Sequence, residues 1–506
     1  MYSLQGTRKS LFLLGFIITI FLTKGLFLSL LFPIFQQPDE QIHYATIQHW
    51  AGKKIQDANQ TKISNNQPRV VDPGNISTYI LTEESTNTAI HLQFDTIKSQ
   101  KENILDFSST TTGIHEESIL VNNWNRDTAY QVNNTSGTRS FYYWLGAGIE
   151  HALSDRDIFT RLLSSRLLSL VFGVLIVILS YLTAKNTDRQ LSIFPVLFAL
   201  LIAFQPMIAS TATQVNIDIA LIFSFSLFLY AGSCVLKKGL TWKNALLSGL
   251  AATLGLLSKG PGLVLALALY PLFAWGAYMK YFIPEKKKQF FTWLMISTLL
   301  LGGIAFMTVP RSYLINITRA SNTSVFDSPL QSIGKYLDKT LRQGELRDTS
   351  LSYWGNFGWL DTPISEWILS VIISIEIIGF SGVLLYLLTP VLQKRFPKLF
   401  QWTANPHWLP ERKYILFFLS MILALQLAVR FYDWRVFDYT GQILIGQPGR
   451  YFLPNIIGHL FLVVTGIGLF LRTQERFITA LKILALGMIL LQIYTVINVI
   501  LPRYYL

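Results

Sequence analysis

Long apolar segments recur along almost the whole chain, and polar loops separate them. Most of these segments hold about 20 residues, enough for a helix to cross the ~30 Å hydrocarbon core of a bilayer. The pattern predicts an all-α polytopic membrane protein with about eleven transmembrane helices. The predicted spans are 11–32, 162–184, 191–209, 215–236, 243–258, 260–282, 290–309, 366–389, 412–430, 450–471 and 478–500.

The composition agrees with a membrane protein. It argues against a protein held by disulfides or a thiolate metal cluster, and against a nucleic-acid-binding protein. Only 14% of the 506 residues are charged and 51% are hydrophobic, whereas a soluble domain carries about 25% charged residues. The single cysteine, Cys234, rules out a disulfide within the chain and a thiolate metal cluster. The net charge of +13 lies mostly in short loops between apolar segments, an arrangement that argues against a nucleic-acid partner.

The placement of basic residues predicts the orientation of the chain. If the N-terminus is cytoplasmic, every loop on the cytoplasmic side contains Lys or Arg, as the positive-inside rule requires. The prediction is therefore N-in and C-out, with residues 1–506 forming a single membrane domain. Three segments then lie outside, namely a long first loop at 33–161, a second large loop at 310–365 and a shorter one at 431–449.

A short aromatic segment closes the first external loop. Phe141 to Leu153 is apolar but too short to cross a bilayer. Tyr and Trp are enriched at the membrane–water interface. The sequence therefore predicts an interfacial helix here, with Tyr142, Tyr143 and Trp144 at headgroup depth.

The strongest candidate for chemistry follows the first span directly. Asp39 and Glu40 are adjacent, and His43 lies four residues after Asp39, on the same face if the segment is helical. Carboxylates against a bilayer are costly and are usually functional. One of them could act as a general base, or the group could hold a divalent cation, the one cofactor that the sequence leaves open. The competing interpretation is that Asp39 only caps a helix after Pro38.

A second acidic residue and two cations are predicted on the same side of the membrane. Asp218 opens the span 215–236 and is either a helix N-terminal charge or a group in a central cavity. Arg450 and Tyr451 open a later span, and Lys259 lies in a Gly/Pro-broken turn. A cation at this surface suits a lipid-linked phosphate, although Lys259 could instead extend to headgroups without any specific role.

An aromatic run ends the second large external loop. Trp354, Trp359 and Asp361 lie in this run, and its rings could stack on the faces of sugars. An interfacial aromatic belt is the simpler explanation for most of these rings.

Four motifs occur in one order along the chain, and together they resemble a known family. They are Pro-Asp-Glu-x-x-His at 38–43, Asn-x-Asp at 216–218, Trp-Gly-x-Phe-Gly-Trp-Leu-Asp at 354–361 and Gly-Arg-Tyr-x-x-Pro at 449–454. The chain is similar over nearly its whole length to a prokaryotic family of predicted membrane proteins of unknown function. That family resembles a branch of the GT-C superfamily of polytopic membrane glycosyltransferases, which use polyprenyl-phosphate sugars. The segment at 139–143 departs from the family pattern because it lacks two prolines.

The resemblance implies a function and a role for each candidate residue. It implies an inverting glycosyltransferase in the plasma membrane, with its active site on the extracytoplasmic side. The donor would be a polyprenyl-phosphate-linked sugar, and the acceptor a cell-envelope glycan, lipid or protein. Asp39, with Glu40 and Asp218, would be catalytic. Substrate would be bound by His43, Lys259, Arg450, Tyr451, Trp354, Trp359 and Asp361, and acceptor recognition would fall to the loops 33–161 and 310–365.

Three other functions remain as alternatives. A lipid-linked polysaccharide polymerase or ligase would use an oligosaccharide-diphosphate donor and more cations at the donor site. A lipid or sugar transporter should contain broken helices near the bilayer midplane and inverted repeats, whereas the acidic residues here lie at the external edge, with no chain of ionisable residues through the spans. A structural scaffold would leave the acidic cluster unexplained.

Overall fold

The computed structural model of the chain is built almost entirely of helices. It describes residues 2–52, 81–82, 129–130, 140–187, 192–281, 324–342, 345–358, 360–396, 408–443, 448–471 and 473–505. Much of the predicted loops 33–161 and 310–365 and the predicted span 290–309 lie outside the described residues.

The helices follow one another with short connections in the described segments. In chain order they are α1 (Tyr2–Leu31), α2 (Glu40–Trp50), α3 (Phe141–Ala152), α4 (Ile158–Thr187), α5 (Phe194–Ala203), α6 (Pro206–Thr211), α7 (Asp218–Lys238), α8 (Trp242–Leu256), α9 (Leu263–Tyr281), α10 (Pro329–Arg342), α11 (Glu345–Trp354), α12 (Glu366–Arg395), α13 (Arg412–Thr440), α14 (Ile456–Phe470), α15 (Gln474–Thr495) and α16 (Leu501–Tyr504). Two 3₁₀-helices at Gly260–Gly262 and Gly449–Asn455 lead into α9 and α14, and a π-turn at Val496–Ile500 follows α15.

Two small antiparallel strand pairs complete the secondary structure that is described. Strand β1 (Leu81–Thr82) pairs with β2 (Ala129–Tyr130), and β3 (Asn356–Phe357) pairs with β4 (Thr362–Pro363). Each strand has only two residues, so the pairs fix loops and do not form a layer of their own.

Eight helices of the described chain are long and apolar enough to cross a membrane, and each matches a predicted span. They are Lys9–Leu31, Ile158–Thr187, Asp218–Lys238, Gly260–Met279, Glu366–Arg395, Arg412–Thr440, Gly449–Phe470 and Gln474–Tyr504. The polytopic all-α architecture is thus confirmed. Two further predicted spans differ from the structure, because 243–258 forms a helix of only 15 residues and 191–209 is broken into two short helices.

The break in the predicted span 191–209 has a local cause in the sequence, and a residue of the first span binds one of the carbonyls that it frees. Pro206 cannot continue a helix, and Gln205 instead caps α6 by accepting a hydrogen bond from the Ile208 amide at 2.6 Å. The end of α5 therefore has carbonyls without intrahelical donors. Lys24, inside the first span, donates to the Ala203 carbonyl at 2.5 Å. The break is tolerated because the ends of both helices are buried in protein.

Helices α12 and α14 meet at glycines, which let the two backbones approach closely. A Cβ atom at Gly382 would collide with the Gly466 backbone, and one at Gly466 would collide with the Gly379 carbonyl. Small residues at such crossings are typical of helix pairs in membranes. The crossing lies in the second half of α14, on the helix that the 3₁₀-helix with Arg450 leads into.

Replacing Gly466 by Leu is expected to lower the free energy of unfolding by about 1–3 kcal/mol or more, because the larger side chain must push α12 and α14 apart. Gly487→Leu on α15 is the matched control, since no atom lies within 4 Å of a Cβ built there. Thermal unfolding of the two purified variants in detergent distinguishes them. Equal melting temperatures would contradict the close crossing.

Helix α3 forms where the sequence predicts a short helix, and its aromatic residues differ in their exposure. Ser140 caps the helix by accepting from the Tyr142 amide at 3.3 Å. Tyr142 and Tyr143 are buried in protein, with the Tyr142 hydroxyl 2.7 Å from Ser169 Oγ. Both rings pack against protein, and their position at headgroup depth stays a prediction. Only Trp144 is largely exposed.

Candidate functional site

Four charged side chains from distant parts of the chain meet at one end of the helix bundle. Arg450 Nη2 donates to Asp39 Oδ2 at 2.6 Å, and Lys259 Nζ donates to Asp218 Oδ1 at 2.6 Å. Arg450 Nε also lies 4.0 Å from Asp218 Oδ2. We call these four residues the charged cluster. It brings the loop after α1, the start of α7, the turn before α9 and the 3₁₀-helix before α14 into one site.

Asp39 is held in an unusual backbone conformation directly before α2. Its φ of 65° and ψ of 9° place it in the left-handed region, which only a few per cent of residues other than glycine adopt. Its side chain makes no capping hydrogen bond to α2 and points instead to Arg450. The capping interpretation of this residue therefore does not hold, and strain of this kind is commonly found at functional sites.

A buried ion pair fixes the loop that presents Asp39. The Arg166 guanidinium donates to both oxygens of Glu40, at 2.8 and 2.6 Å. The same guanidinium donates to the carbonyls of Ser29, Phe32 and Pro33, at 2.7 to 3.1 Å. The chain leaving α1 is thereby folded around Arg166, and Asp39 follows at the end of this loop.

Glu40 also connects this loop to the second acidic motif. Its carboxylate accepts from the amide of Phe35 at 3.1 Å and from the amide of Val215 at 3.0 Å. The side chain is fully buried. This does not fit the catalytic role that the sequence predicts for Glu40, because its oxygens are occupied by four protein donors. We assign it a positioning role, since it sets the backbone beside both Asp39 and Asp218.

The start of α7 is set by its own motif. The Asn216 side-chain oxygen accepts from the Asp218 amide at 2.8 Å, which closes a tight turn before the helix. The Asn216 Nδ2 group is buried and has no hydrogen-bond partner among the described residues. In the sequence, Asn216 is recognised only as part of a motif. The tendency of Asn to form turns is the signal that could have predicted its role in closing the turn before α7.

His43 and Tyr143 form a polar contact beside the charged cluster. His43 Nδ1 lies 2.7 Å from the Tyr143 hydroxyl oxygen. Burial lowers the pKa of His43 to about 4, although Asp39 and Asp218 act in the opposite direction. Burial also raises the pKa of Tyr143 well above its usual value. Both groups are therefore neutral at pH 7. In the sequence, Tyr143 is marked only by its aromatic setting.

The pKa values of Asp39 and Lys259 are shifted in the direction that favours the charged form of each group. Burial alone would raise the pKa of Asp39, but Arg450, His43 and Lys259 hold it below its usual range. Burial alone would lower the pKa of Lys259, but Asp218 and Tyr451 raise it above its usual value. The cluster is thus fully charged at neutral pH.

Acidification from pH 7 towards pH 4 is expected to destabilise the protein partly through His43. Its pKa falls from an ordinary 6.5 to about 4 on folding, so the unfolded chain binds a proton that the folded chain excludes. Stability is then lost as the pH falls through this interval. His43→Gln removes the group, and its melting temperature in detergent should depend less steeply on pH between 6.5 and 4. Identical slopes for the two proteins would contradict a buried neutral His43.

Of the other predicted substrate-binding residues, one lies at the charged cluster and two contact other parts of the chain. The Tyr451 ring lies against both cations, with its centroid 4.6 Å from Lys259 Nζ. Trp354 is buried away from the cluster and donates through Nε1 to Glu376 at 3.1 Å. Asp361 pairs with Arg503 at 2.7 Å. Trp359 lies outside the described residues.

The charged cluster keeps unused hydrogen-bond donors. Arg450 Nε and Nη1 are buried and have no hydrogen-bond partner in the described part of the chain. Guanidinium groups suit bidentate recognition of phosphate. Within the same described residues, no group of three His, Cys, Asp or Glu side chains is placed to hold a metal ion.

Comparison with known families identifies the chain at the level of a membrane protein family. The model of the family described as "Predicted membrane protein (DUF2142)" matches residues 22–458. The chain belongs to this family. The matched region of this DUF2142 protein contains all four members of the charged cluster. No curated protein and no solved structure matches the chain.

Proposed function

We propose that this DUF2142 protein is a GT-C-type inverting glycosyltransferase. It takes a sugar from a polyprenyl-phosphate donor and transfers it to a glycan, lipid or protein of the cell envelope. The observation that carries the proposal is the charged cluster, a half-buried set of two carboxylates and two cations at one end of the helix bundle. Such a set contains both a base and a phosphate-binding pair, the two parts that the reaction needs.

The unused donors of Arg450 support an anionic ligand. Two carboxylates neutralise two cations, and Arg450 retains unused donors at Nε and Nη1. A donor phosphate would compete with Asp39 for Arg450 and would share Lys259 with Asp218. The pKa of Asp39 is held down first of all by Arg450 among its attractive partners. Transfer of that guanidinium to the phosphate would raise the pKa of Asp39 and make it a better base.

The proposed step is one displacement at the anomeric carbon. The acceptor oxygen forms a bond to this carbon, while the bond from the carbon to the phosphate oxygen breaks. The acceptor proton passes to Asp39, and the phosphate leaves with the bonding electron pair. Arg450 and Lys259 stabilise the charge that develops on the leaving phosphate. Attack from the face opposite the phosphate inverts the configuration and needs no covalent intermediate.

The proposed location is the extracytoplasmic face of the plasma membrane. This follows from the distribution of Lys and Arg in the loops, which favours a cytoplasmic N-terminus. The loop after the first span would then lie outside, and with it the charged cluster, because Asp39 belongs to that loop.

Transfer to a defined acceptor is the direct test of the function. The full-length protein in nanodiscs would receive radiolabelled polyprenyl-phosphate hexoses and pentoses together with an envelope glycolipid fraction. We expect label in the glycolipid for at least one donor, with NMR showing inversion at the anomeric carbon. Transfer only from oligosaccharide diphosphates would favour a polymerase or ligase. The absence of transfer from every donor would overturn the enzyme proposal.

A lipid transporter is the second candidate, and the break between α5 and α6 favours it. Broken helices are common at transporter binding sites. The freed carbonyl of Ala203, however, is bound by Lys24 and does not face a described cavity. A fluorescent polyprenyl phosphate in sealed vesicles separates the two, since a transporter would move it between leaflets without any sugar transfer.

A further inference from the structure

A cavity of about 200 Å³ is walled by α11, α12, α13 and the segment that begins α14. Four aromatic residues, Tyr353, Trp354, Phe380 and Phe452, line it together with polar groups of Glu376, Asn455 and His459. Helices α12 and α13 are only 28% and 33% buried over their apolar windows. The side chains of Glu376 and His459 in its wall keep 18% and 15% of their surface exposed, so the cavity is open to the outside of the bundle.

Two ionisable residues inside predicted spans meet at this cavity. His459 Nε2 lies 3.0 Å from Glu376 Oε1, and the same oxygen accepts from Trp354 Nε1 at 3.1 Å. His459 Nδ1 lies 2.7 Å from the Tyr353 hydroxyl. Ionisable side chains within spans are costly and usually functional. One pair does not form a chain of ionisable residues through the spans. Glu376 nevertheless lies inside a predicted span and not at the external edge, where the sequence predicts the acidic residues to lie.

Two acceptor oxygens in the cavity lack a donor among the described residues, and Gln426, whose Oε1 accepts from Arg430 Nε at 3.2 Å, keeps its amide nitrogen as a donor. Glu376 Oε2 has no partner among the described residues, whereas Oε1 serves two donors. The amide of Asn455 is oriented by donation from Nδ2 to the Met421 carbonyl at 2.8 Å. Its Oδ1 is buried and unpaired within the described structure, and Asn455 is only 3% exposed. A ligand with hydrogen-bond donors satisfies both of these oxygens.

We propose that this cavity binds the neutral, hydroxyl-rich sugar headgroup of a membrane glycolipid. Sugar hydroxyls supply donors for Glu376 Oε2 and Asn455 Oδ1, and the aromatic walls offer faces for the apolar side of a sugar ring. In liquid water, roughly seven water molecules fill the same volume as this cavity. A space of this size suits a single sugar ring. Access from outside the bundle suits a headgroup that stays attached to its acyl chains.

The cavity is connected to the charged cluster through one short helix. The 3₁₀-helix Gly449–Asn455 carries Arg450 at its start and Asn455 at its end. Five residues of a 3₁₀-helix rise by about 10 Å. A glycan held in the cavity could therefore extend towards Asp39. The role of the glycolipid as acceptor rests on the proposed function, whereas the binding of its headgroup does not.

Native mass spectrometry of the full-length protein tests this proposal. The nanodiscs would contain phosphatidylcholine doped with monohexosyl diacylglycerol, phosphatidylethanolamine or polyprenyl phosphate. We expect the hexosyl lipid to be retained in preference to phosphatidylethanolamine. Glu376→Gln and Asn455→Leu should each lower its retention about tenfold, as expected for a lost hydrogen bond to a charged or buried group. Both variants should still retain polyprenyl phosphate.

Ile377→Ala is the matched control, because Ile377 neighbours Glu376 on α12 and is 61% exposed. It should retain the hexosyl lipid like the wild type. Equal retention by Glu376→Gln, Asn455→Leu and wild type would overturn the proposal, as would a preference for phosphatidylethanolamine. Displacement of the hexosyl lipid by polyprenyl phosphate would also overturn it, because the two sites would then not be separate. Failure of the transferase function would leave hexosyl-lipid retention intact.

Discussion

Replacing Asp39 by Asn is expected to lower the rate of glycosyl transfer by about a hundredfold to ten-thousandfold, the usual contribution of a general base. Asn cannot accept the acceptor proton, but it has the same size as Asp and tolerates the left-handed conformation. The loop should therefore keep its shape. The measurement is the initial rate of label transfer from the active donor, with the melting temperature recorded in parallel.

Asp155→Asn provides the control for the loss of one carboxylate. Asp155 lies after α3 and its side chain is 74% exposed, away from the charged cluster. Its rate should equal that of the wild type. If Asp39→Asn keeps the full rate, Asp39 is not the base. If Asp39→Asn loses activity only together with its melting transition, its role is structural.

Replacing Arg166 by Met is expected to lower the free energy of unfolding by about 3–5 kcal/mol, the range found when one partner of a buried ion pair is removed. Glu40 would remain as a buried carboxylate without a counter-charge. The carbonyls of Ser29, Phe32 and Pro33 would also lose their donor. Thermal and denaturant unfolding in detergent measure the effect.

Arg156→Met is the corresponding control, because the Arg156 side chain is 64% exposed and its pair with Asp155 lies at the surface. Exposed pairs contribute about 0–1 kcal/mol. Similar stabilities for Arg166→Met and Arg156→Met would rule out the assigned positioning role of the Glu40–Arg166 pair. Polyprenyl-phosphate retention should fall together with stability for Arg166→Met, because the loop with Asp39 is no longer held.

Much of the architecture could be predicted because segment length and apolarity directly decide whether a helix can cross a bilayer. The broken segment 191–209 could not be recognised by average hydropathy, since Gln205 and Pro206 hardly change the mean of a window. Pro206 was nevertheless a local signal for a helix break. The partner of the freed end, Lys24, is 179 residues from Ala203, and no local pattern encodes such a contact.

For the candidate site, too, the sequence predicts some features and not those that depend on contacts between distant residues. The predicted orientation puts Asp39, Asp218, Lys259 and Arg450 on one side of the membrane, and the structure brings all four together. The separate roles of Asp39 and Glu40 depend on which way each carboxylate points. Adjacent residues of one type cannot be distinguished by sequence spacing, whereas the left-handed backbone at Asp39 turns the two side chains to different partners.

The contact between Lys24 and Ala203 also has a consequence for biogenesis. Ribosomes add about 5–20 residues per second, so Ala203 follows Lys24 by about 10 to 40 s. During this time the first segment carries an ammonium group whose acceptor carbonyl has not yet been made, and such a charge is costly in hydrocarbon. The first segment must therefore stay at the insertion machinery, or keep Lys24 in contact with water, until the third apolar segment has been synthesised and has broken at Pro206.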